Sequence, residues 1–165
     1  MTSAASAPVR VHLGFGSNLD DPAAQVLTAV AEVGAIPGVT LVCCSNLYRT
    51  TPLGPAGQPD YVNAVAACDT TLEPHALLDA LQAIETAHGR VRAERWGART
   101  LDIDLLLYGE RVIADARLTV PHAELAAREF VVLPLLEIAP DLVVPGLGPV
   151  RKLAARFDPD SVTRL

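Results

Sequence analysis

Lysine is almost missing from this chain. Of its thirteen basic residues only Lys152 is a lysine, so arginine is the default base and its use alone says little. Cysteine is also scarce: Cys43, Cys44 and Cys68 are an odd set, and the adjacent pair would face opposite sides of a strand. No zinc spacing and no disulfide framework can be drawn from three such residues, which excludes a stapled secreted scaffold. They read as small buried hydrophobes in a reducing compartment. Aromatics make up only 4% of the residues, so each one is a scarce resource. No apolar run approaches transmembrane length. The first eight residues lack a basic stretch followed by an apolar core, so they read as a loose tail and not as a signal peptide. The cytoplasm is the expected location, with no membrane partner. A net charge of −6 argues against a nucleic-acid partner as well.

What is present is enough apolar sequence for a sizeable core: half of 165 residues are hydrophobic. That length predicts one domain, from residue 9 to 165, behind the tail of residues 1–8. Val9 to Phe15 reads as a strand that ends in a glycine-rich turn, Gly14-Phe15-Gly16-Ser17-Asn18. Leu19 stands where a dinucleotide fingerprint needs its third glycine, so close backbone approach is favoured there over a phosphate loop. Asp21-Pro22 starts a helix with Val26, Leu27, Val30 and Val33 at helical spacing, closed by Gly34. Val39 to Arg49 reads as one strand. Thr50 to Asp60 is too rich in proline and glycine for regular structure and is expected to be a functional loop. Tyr61 to Thr70 is a strand carrying Asn63 among apolar residues. That side chain makes a core hydrogen bond or contacts the edge of a flat heterocycle. Glu73-Pro74 opens a helix with Leu77, Leu78, Leu81 and Ile84 buried, and with Gln82 and Glu85 together on one face. A strand from Asp102 to Tyr108 follows, then a short strand over Arg111–Ile113 and an extended run to His122. Glu124 to Glu137 is predicted to be partly helical and broken by Pro134. Beyond Pro140 the chain reads as loop with a short helix near Lys152. The order strand, helix, strand, strand, helix, strand predicts an α+β fold of the ferredoxin-like, split βαβ type.

The most informative stretch is Arg90 to Tyr108. Its first half places Arg90, Arg92, Arg95 and Arg99 against a single acid, Glu94. Its second half sets Asp102 and Asp104 into an apolar strand. Residues two apart on a strand share a face, so both carboxylates point one way while Leu101, Ile103, Leu105 and Leu107 point into a core. Two adjacent carboxylates repel, and a pair of hard divalent cations relieves the repulsion. Arginines beside such a pair suit a polyphosphate. A magnesium–nucleotide site is the resulting expectation; a solvated strand edge beside a basic loop is the plainer alternative.

With these residues in view, the chain closely resembles the 6-hydroxymethyl-7,8-dihydropterin pyrophosphokinases of folate biosynthesis. The piece that carries most of the likeness is Arg95-Trp96-Gly97-Ala98-Arg99-Thr100-Leu101-Asp102-Ile103-Asp104-Leu105. Gly16-Ser17-Asn18, Tyr48-Arg49-Thr50, Pro52-Leu53-Gly54, Tyr61-Val62-Asn63-Ala64 and Leu118-Thr119-Val120-Pro121-His122 agree in order and spacing. The resemblance implies transfer of the pyrophosphoryl group of ATP to the pterin's hydroxymethyl oxygen, with release of AMP; a monomer is the expected state. It implies two Mg2+ ions on Asp102 and Asp104, and a catalytic set of Arg90, Arg92, Asp102 and Asp104. On the ATP side it places Gln82, Glu85, Arg92, Arg95, Arg99, Arg117, Thr119, His122 and Arg128. Around the pterin it places Thr50, Pro52, Leu53, Tyr61, Asn63, Trp96 and Phe130. Ala98 stands where the family often has proline, and Ala123 replaces a bulkier residue. Two competing expectations are a Mg-dependent nucleotidyltransferase, which would release pyrophosphate, and a non-enzymatic ferredoxin-like ligand-binding module.

Overall fold

The computed structural model describes residues 7–19, 21–50, 60–89 and 100–165. It contains strands β1 (Val9–Ser17), β2 (Val39–Cys44), β3 (Tyr48–Thr50), β4 (Tyr61–Thr70) and β5 (Asp102–Tyr108). The helices are α1 (Pro22–Gly34), α2 (Pro74–Ala87), α3 (Glu129–Ile138) and α4 (Val150–Ala154). β1 lies between β4 and β5, and β2 and β3 both pair with β4; every one of these pairings is antiparallel. The fold is mixed α/β, with helices packed on an antiparallel sheet.

Local sequence explains most element boundaries. Asp21 sits in the left-handed region (φ 60°), which an Asp side chain tolerates, and its carboxylate accepts the Ala24 N–H at 3.4 Å to cap α1. Pro22 and Pro74 occupy first helical positions, where no amide donor is needed. The buried stripe of α1 is Val26, Ala29, Val30 and Val33; Leu27, expected inside, is 56% exposed. In α2 the stripe is Pro74, Leu77, Leu81 and Glu85, with Leu78 and Ile84 half-buried at its flanks.

The single strand expected over residues 39–49 is interrupted. Cys44 pairs with Ala66 and Tyr48 with Asn63, so the outer strand has one residue more than its partner between these points. Ser45 bridges the break: its N–H donates to Val65 O at 2.8 Å and its hydroxyl accepts the Val65 N–H at 3.0 Å. A side chain thus takes over a ladder position, as a bulge requires. The glycine-rich turn expected after Phe15 is not a turn either. Gly14 and Gly16 lie inside β1, which runs on to Ser17. The short strand after Gly109 covers Ile113–Ala114 and pairs with Thr119–Val120. α3 continues through Pro134 instead of breaking there. The proline, sixth of the helix's ten residues, removes one interior amide donor while the residue is buried with Val131, Val132 and Leu135. The region beyond Pro140 holds more regular structure than expected: Val143–Val144 pairs with Gly148–Pro149, and Thr163–Arg164 adds to the sheet beside β3.

The sheet has two differently covered faces. α1 and α2 pack on one, over Val11, Leu13, Phe15, Val62, Ala64, Ala66, Ile103 and Leu105. α3 and α4 pack on the other, over Val65, Leu106 and Leu107. A bulge in β5 controls the second face. Leu13 pairs with Leu105 and His12 with Leu107, which leaves Leu106 as the extra residue. Leu106 and Leu107 consequently join the same core, and Leu107 lies on the opposite side from Ile103 and Leu105, contrary to simple alternation.

Candidate functional site

The site grows out of one row across three strands. Asp102 pairs with Gly16, and Gly16 with Asn63; one step along, Asp104 pairs with Gly14, and Gly14 with Val65. Paired residues share a face, and this face is opposite the α1/α2 core. Both aspartates are half-buried there. Between them and Asn63 the sheet carries only glycine, and both glycines are buried, Gly14 against the Leu106 side chain and Gly16 against the Asn63 amide. A Cβ added at Gly16 would come within 2.8 Å of Asn63 Nδ2. The close approach expected of these glycines is therefore present, inside a strand.

Three groups converge on the aspartates. Arg128, immediately before α3, brings a guanidinium nitrogen to 3.5 Å from Asp104 Oδ2 and places its other arm on Glu124. Its guanidinium carbon lies 5.6 Å from the centre of the half-buried Phe130 ring, a cation–π geometry. His122 is anchored by its backbone N–H to Leu106 O at 3.0 Å. Its Nδ1 accepts the Glu124 N–H at 3.2 Å. Nε2 faces Asp104 Oδ1 at 3.9 Å. From the other side of the sheet Glu85, 6% exposed, accepts the Ile103 N–H at 2.9 Å, between the two aspartates. Glu85 thus belongs to the buried stripe of α2, while Gln82, expected beside it, is exposed and accepts from Arg117 at 3.3 Å. Thr119 is exposed on its short strand.

On the Asn63 side, the Thr50 hydroxyl donates to Asn63 Oδ1 at 3.0 Å, and Asn63 Nδ2 reaches Phe15 O at 3.5 Å. Tyr61 is half-buried opposite Thr50. β3 is itself braced: Glu137 of α3 accepts from the Asn46 backbone at 2.9 Å, from the Asn46 amide at 3.1 Å and from the Tyr48 hydroxyl. Burial first, and the bond to Glu137 second, push the Tyr48 phenol up to about 12, so it stays a donor at any physiological pH.

The described structure therefore brings together Asp102, Asp104, His122, Arg128 and Phe130 at one end of the glycine row, and Thr50, Tyr61 and Asn63 at the other. Gln82 and Arg117 lie on the outer side of α2. Pro52, Leu53, Arg90, Arg92, Arg95, Trp96 and Arg99 lie outside the described residues. The glycine row, the Ser45 bridge and the Glu137 brace were not anticipated from sequence. Only the first had a signal there, glycines two apart in an apolar strand. Among the described residues no three His, Cys, Asp or Glu side chains converge as a metal cage. Two half-buried carboxylates on one sheet face instead fit Mg2+, which keeps waters and takes substrate phosphates as its remaining ligands.

Residues 12–140 match the family model described as 7,8-dihydro-6-hydroxymethylpterin-pyrophosphokinase (HPPK). The chain is 46% identical to the 2-amino-4-hydroxy-6-hydroxymethyldihydropteridine pyrophosphokinase of Haemophilus influenzae, over 95% of this chain and 98% of that protein. It is 49% identical to the protein of the same name from Pseudomonas aeruginosa, over 94% of this chain and 96% of the other. Among solved structures it is similar to Plasmodium falciparum HPPK-DHPS wild type with pteroate, with a TM-score of 0.73 at 14% identity over 94% of this chain. It spans 43% of that longer chain, and the likeness at this identity is one of fold.

Proposed function

The chain belongs to the 7,8-dihydro-6-hydroxymethylpterin-pyrophosphokinase family, enzymes of pyrophosphoryl transfer in folate biosynthesis, and from that premise we propose which of its residues carry the reaction. The pterin's hydroxymethyl oxygen forms a bond to the β-phosphorus of ATP. The bond from that phosphorus to the oxygen it shares with the α-phosphate breaks, AMP leaves with the electron pair of that bond, and the hydroxyl proton is released to solvent. Such in-line displacement asks a protein for charge neutralisation and positioning, with little covalent chemistry. Asp102 and Asp104 would hold two Mg2+ ions, which when bound neutralise phosphate oxygens and clamp the attacking and leaving groups. Arg128 and His122 face Asp104 and would contact phosphate oxygens there. The Arg128 guanidinium is kept in reach by Phe130 and Glu124. The glycine row lets the Asn63 amide lie close against the sheet, on the face that carries the aspartates. Asn63, aligned by Thr50, would present its amide to the heterocycle edge, and Phe130 a ring face. Arg90, Arg92, Arg95, Arg99, Trp96, Pro52 and Leu53 retain the roles implied by their match to the family motif.

The observation that carries this reading is the row Asp102–Gly16–Asn63: metal-binding chemistry and heterocycle-reading chemistry on one sheet face, with only glycine between. The strand order β5-β1-β4-β2 with every neighbour antiparallel also supports the ferredoxin-like reading of the fold. A single domain from residue 9 is favoured because both apolar cores share this sheet. No described helix is long and apolar enough to cross a membrane. The three cysteines are free thiols, which supports a reducing, cytoplasmic location.

The test is an assay with ATP, Mg2+ and 6-hydroxymethyl-7,8-dihydropterin in which the nucleotide products are resolved. AMP formed only when the pterin is present, and lost on chelation with EDTA, is the expected result. Pyrophosphate as the released product would instead mark a nucleotidyltransferase.

A further inference from the structure

The outer face of α2 carries His75, Asp79 and Gln82, spaced to form one stripe. All three meet the turn between the short strands Ile113–Ala114 and Thr119–Val120. His75 Nε2 lies 2.8 Å from Asp115 Oδ2. Asp79 Oδ1 accepts from a terminal nitrogen of Arg117 at 2.6 Å, and Gln82 Oε1 accepts from that same nitrogen at 3.3 Å. The second oxygen of Asp115 accepts the N–H groups of Arg117 and Leu118, each at 2.9 Å. Those backbone bonds, the one from Arg117 foremost, hold the Asp115 carboxyl below its ordinary range. Arg117 is therefore tied at both ends, its backbone by Asp115 and its guanidinium by Asp79.

We propose that Asp79 is a positioning residue for nucleotide binding: it pre-sets the Arg117 guanidinium beside Gln82 so that the remaining N–H donors meet the phosphates of a nucleoside triphosphate. The proposal rests on the reading of Arg117 as a phosphate ligand. The Arg117–Asp79 pair is exposed, with side chains 49% and 63% accessible, so it contributes little to stability. Its consequence lies in order. A free arginine side chain loses rotamer freedom when it docks on phosphate, and one already held loses less. A guanidinium has five donors, and two partners sharing one nitrogen leave the rest of the fork for an anion.

The experiment measures KM for ATP, kcat and urea-unfolding midpoints for Asp79→Ala, Asp79→Asn, Arg117→Ala and the Asp79→Ala/Arg117→Ala double variant. Asp79→Ala should raise KM for ATP about three- to tenfold, the cost of ordering one long side chain, with kcat and the unfolding midpoint near the parent values. Asp79→Asn keeps the accepting oxygen and should restore most of the loss. In the Arg117→Ala background Asp79→Ala should add nothing. Tighter ATP binding in both Asp79 variants would make Asp79 an electrostatic competitor and overturn the proposal, as would an unchanged KM in Asp79→Ala. An Arg117→Ala variant with parental KM would locate the failure in the phosphate-ligand reading itself.

Discussion

The two faces of the sheet use the same three strands for opposite ends. On the α1/α2 face Val11, Leu13 and Phe15 of β1 meet Ile103 and Leu105 of β5 and the small residues of β4 in a closed apolar core. On the other face the same strands present Gly14, Gly16, Asp102, Asp104 and Asn63. Over its far half that face is sealed by α3 and α4, which pack on Leu106, Leu107 and Val65. The β5 bulge divides the two halves: before it the strand sends half-buried carboxylates to the glycine row, and after it two successive leucines go to the core. One face therefore carries stability. The other is split between stability and chemistry, and perturbations of the two should separate cleanly.

The sharpest separation is expected at the carboxylates. Asp102→Asn or Asp104→Asn should lower kcat about a hundredfold or more, the usual cost of losing one electrostatic stabiliser of a transition state. Circular dichroism and the unfolding midpoint should stay near the parent's. Near-normal turnover at ordinary Mg2+ concentrations would remove both residues from the metal site. On the closed face Leu13→Ala should do the reverse. It deletes a fully buried side chain and should cost about 2–5 kcal/mol in urea unfolding. Turnover of the fraction still folded should stay close to parental. A large drop in kcat for folded Leu13→Ala would mean that the two faces are coupled through the sheet.

His12 tests the sealed half of the second face. It lies in a row with Ala67 and Leu107, is 5% exposed, and its Nδ1 has no hydrogen-bond partner. Burial first, and the nearby charge of Arg10 second, push its pKa from 6.5 down to about 4. The folded chain keeps this ring neutral where the unfolded chain already takes up a proton. Stability is therefore unaffected above pH 6.5 and declines as pH falls toward 4, by roughly 3 kcal/mol at the lower end. His12→Leu should flatten that part of the urea-unfolding profile. An unchanged slope between pH 6.5 and 4 would show that His12 protonates in the folded state. The smallest effect is expected at the glycine row itself. Gly16→Ala pushes a methyl against the Asn63 amide, a group at the end of a short side chain that can shift. Displacing its hydrogen bonds should weaken pterin affinity about tenfold or less, measurable by calorimetry. ATP affinity in the same variant should hold, and equal losses for both ligands would give Asn63 no special part in reading the pterin.

Most of the architecture was already legible in the residues. Asp21-Pro22 and Glu73-Pro74 start helices for local steric and capping reasons, and the alternation around Asp102 and Asp104 puts both carboxylates on one face whatever surrounds them. The motif around those aspartates named the chemistry because few backbones and few ligands satisfy it. Other features depended on distant partners. Glu85 sits at a helical position that sequence alone assigns to a ligand-facing pair, yet an amide of β5 draws it inside. Pro134 should end a helix, but burial of its ring offsets the lost hydrogen bond. Leu107 broke the simple alternation because β5 carries one residue more than β1 opposite it. Gly14 and Gly16 suggest a turn when read along the chain. Only pairing with β4 and β5 makes them the row between two sets of polar groups. The sequence by itself determined the main strands and helices, the acid pair and the family chemistry, because these rest on patterns within a few residues. Tertiary structure decided which face each side chain serves, because register and burial are set by partners far away in the chain.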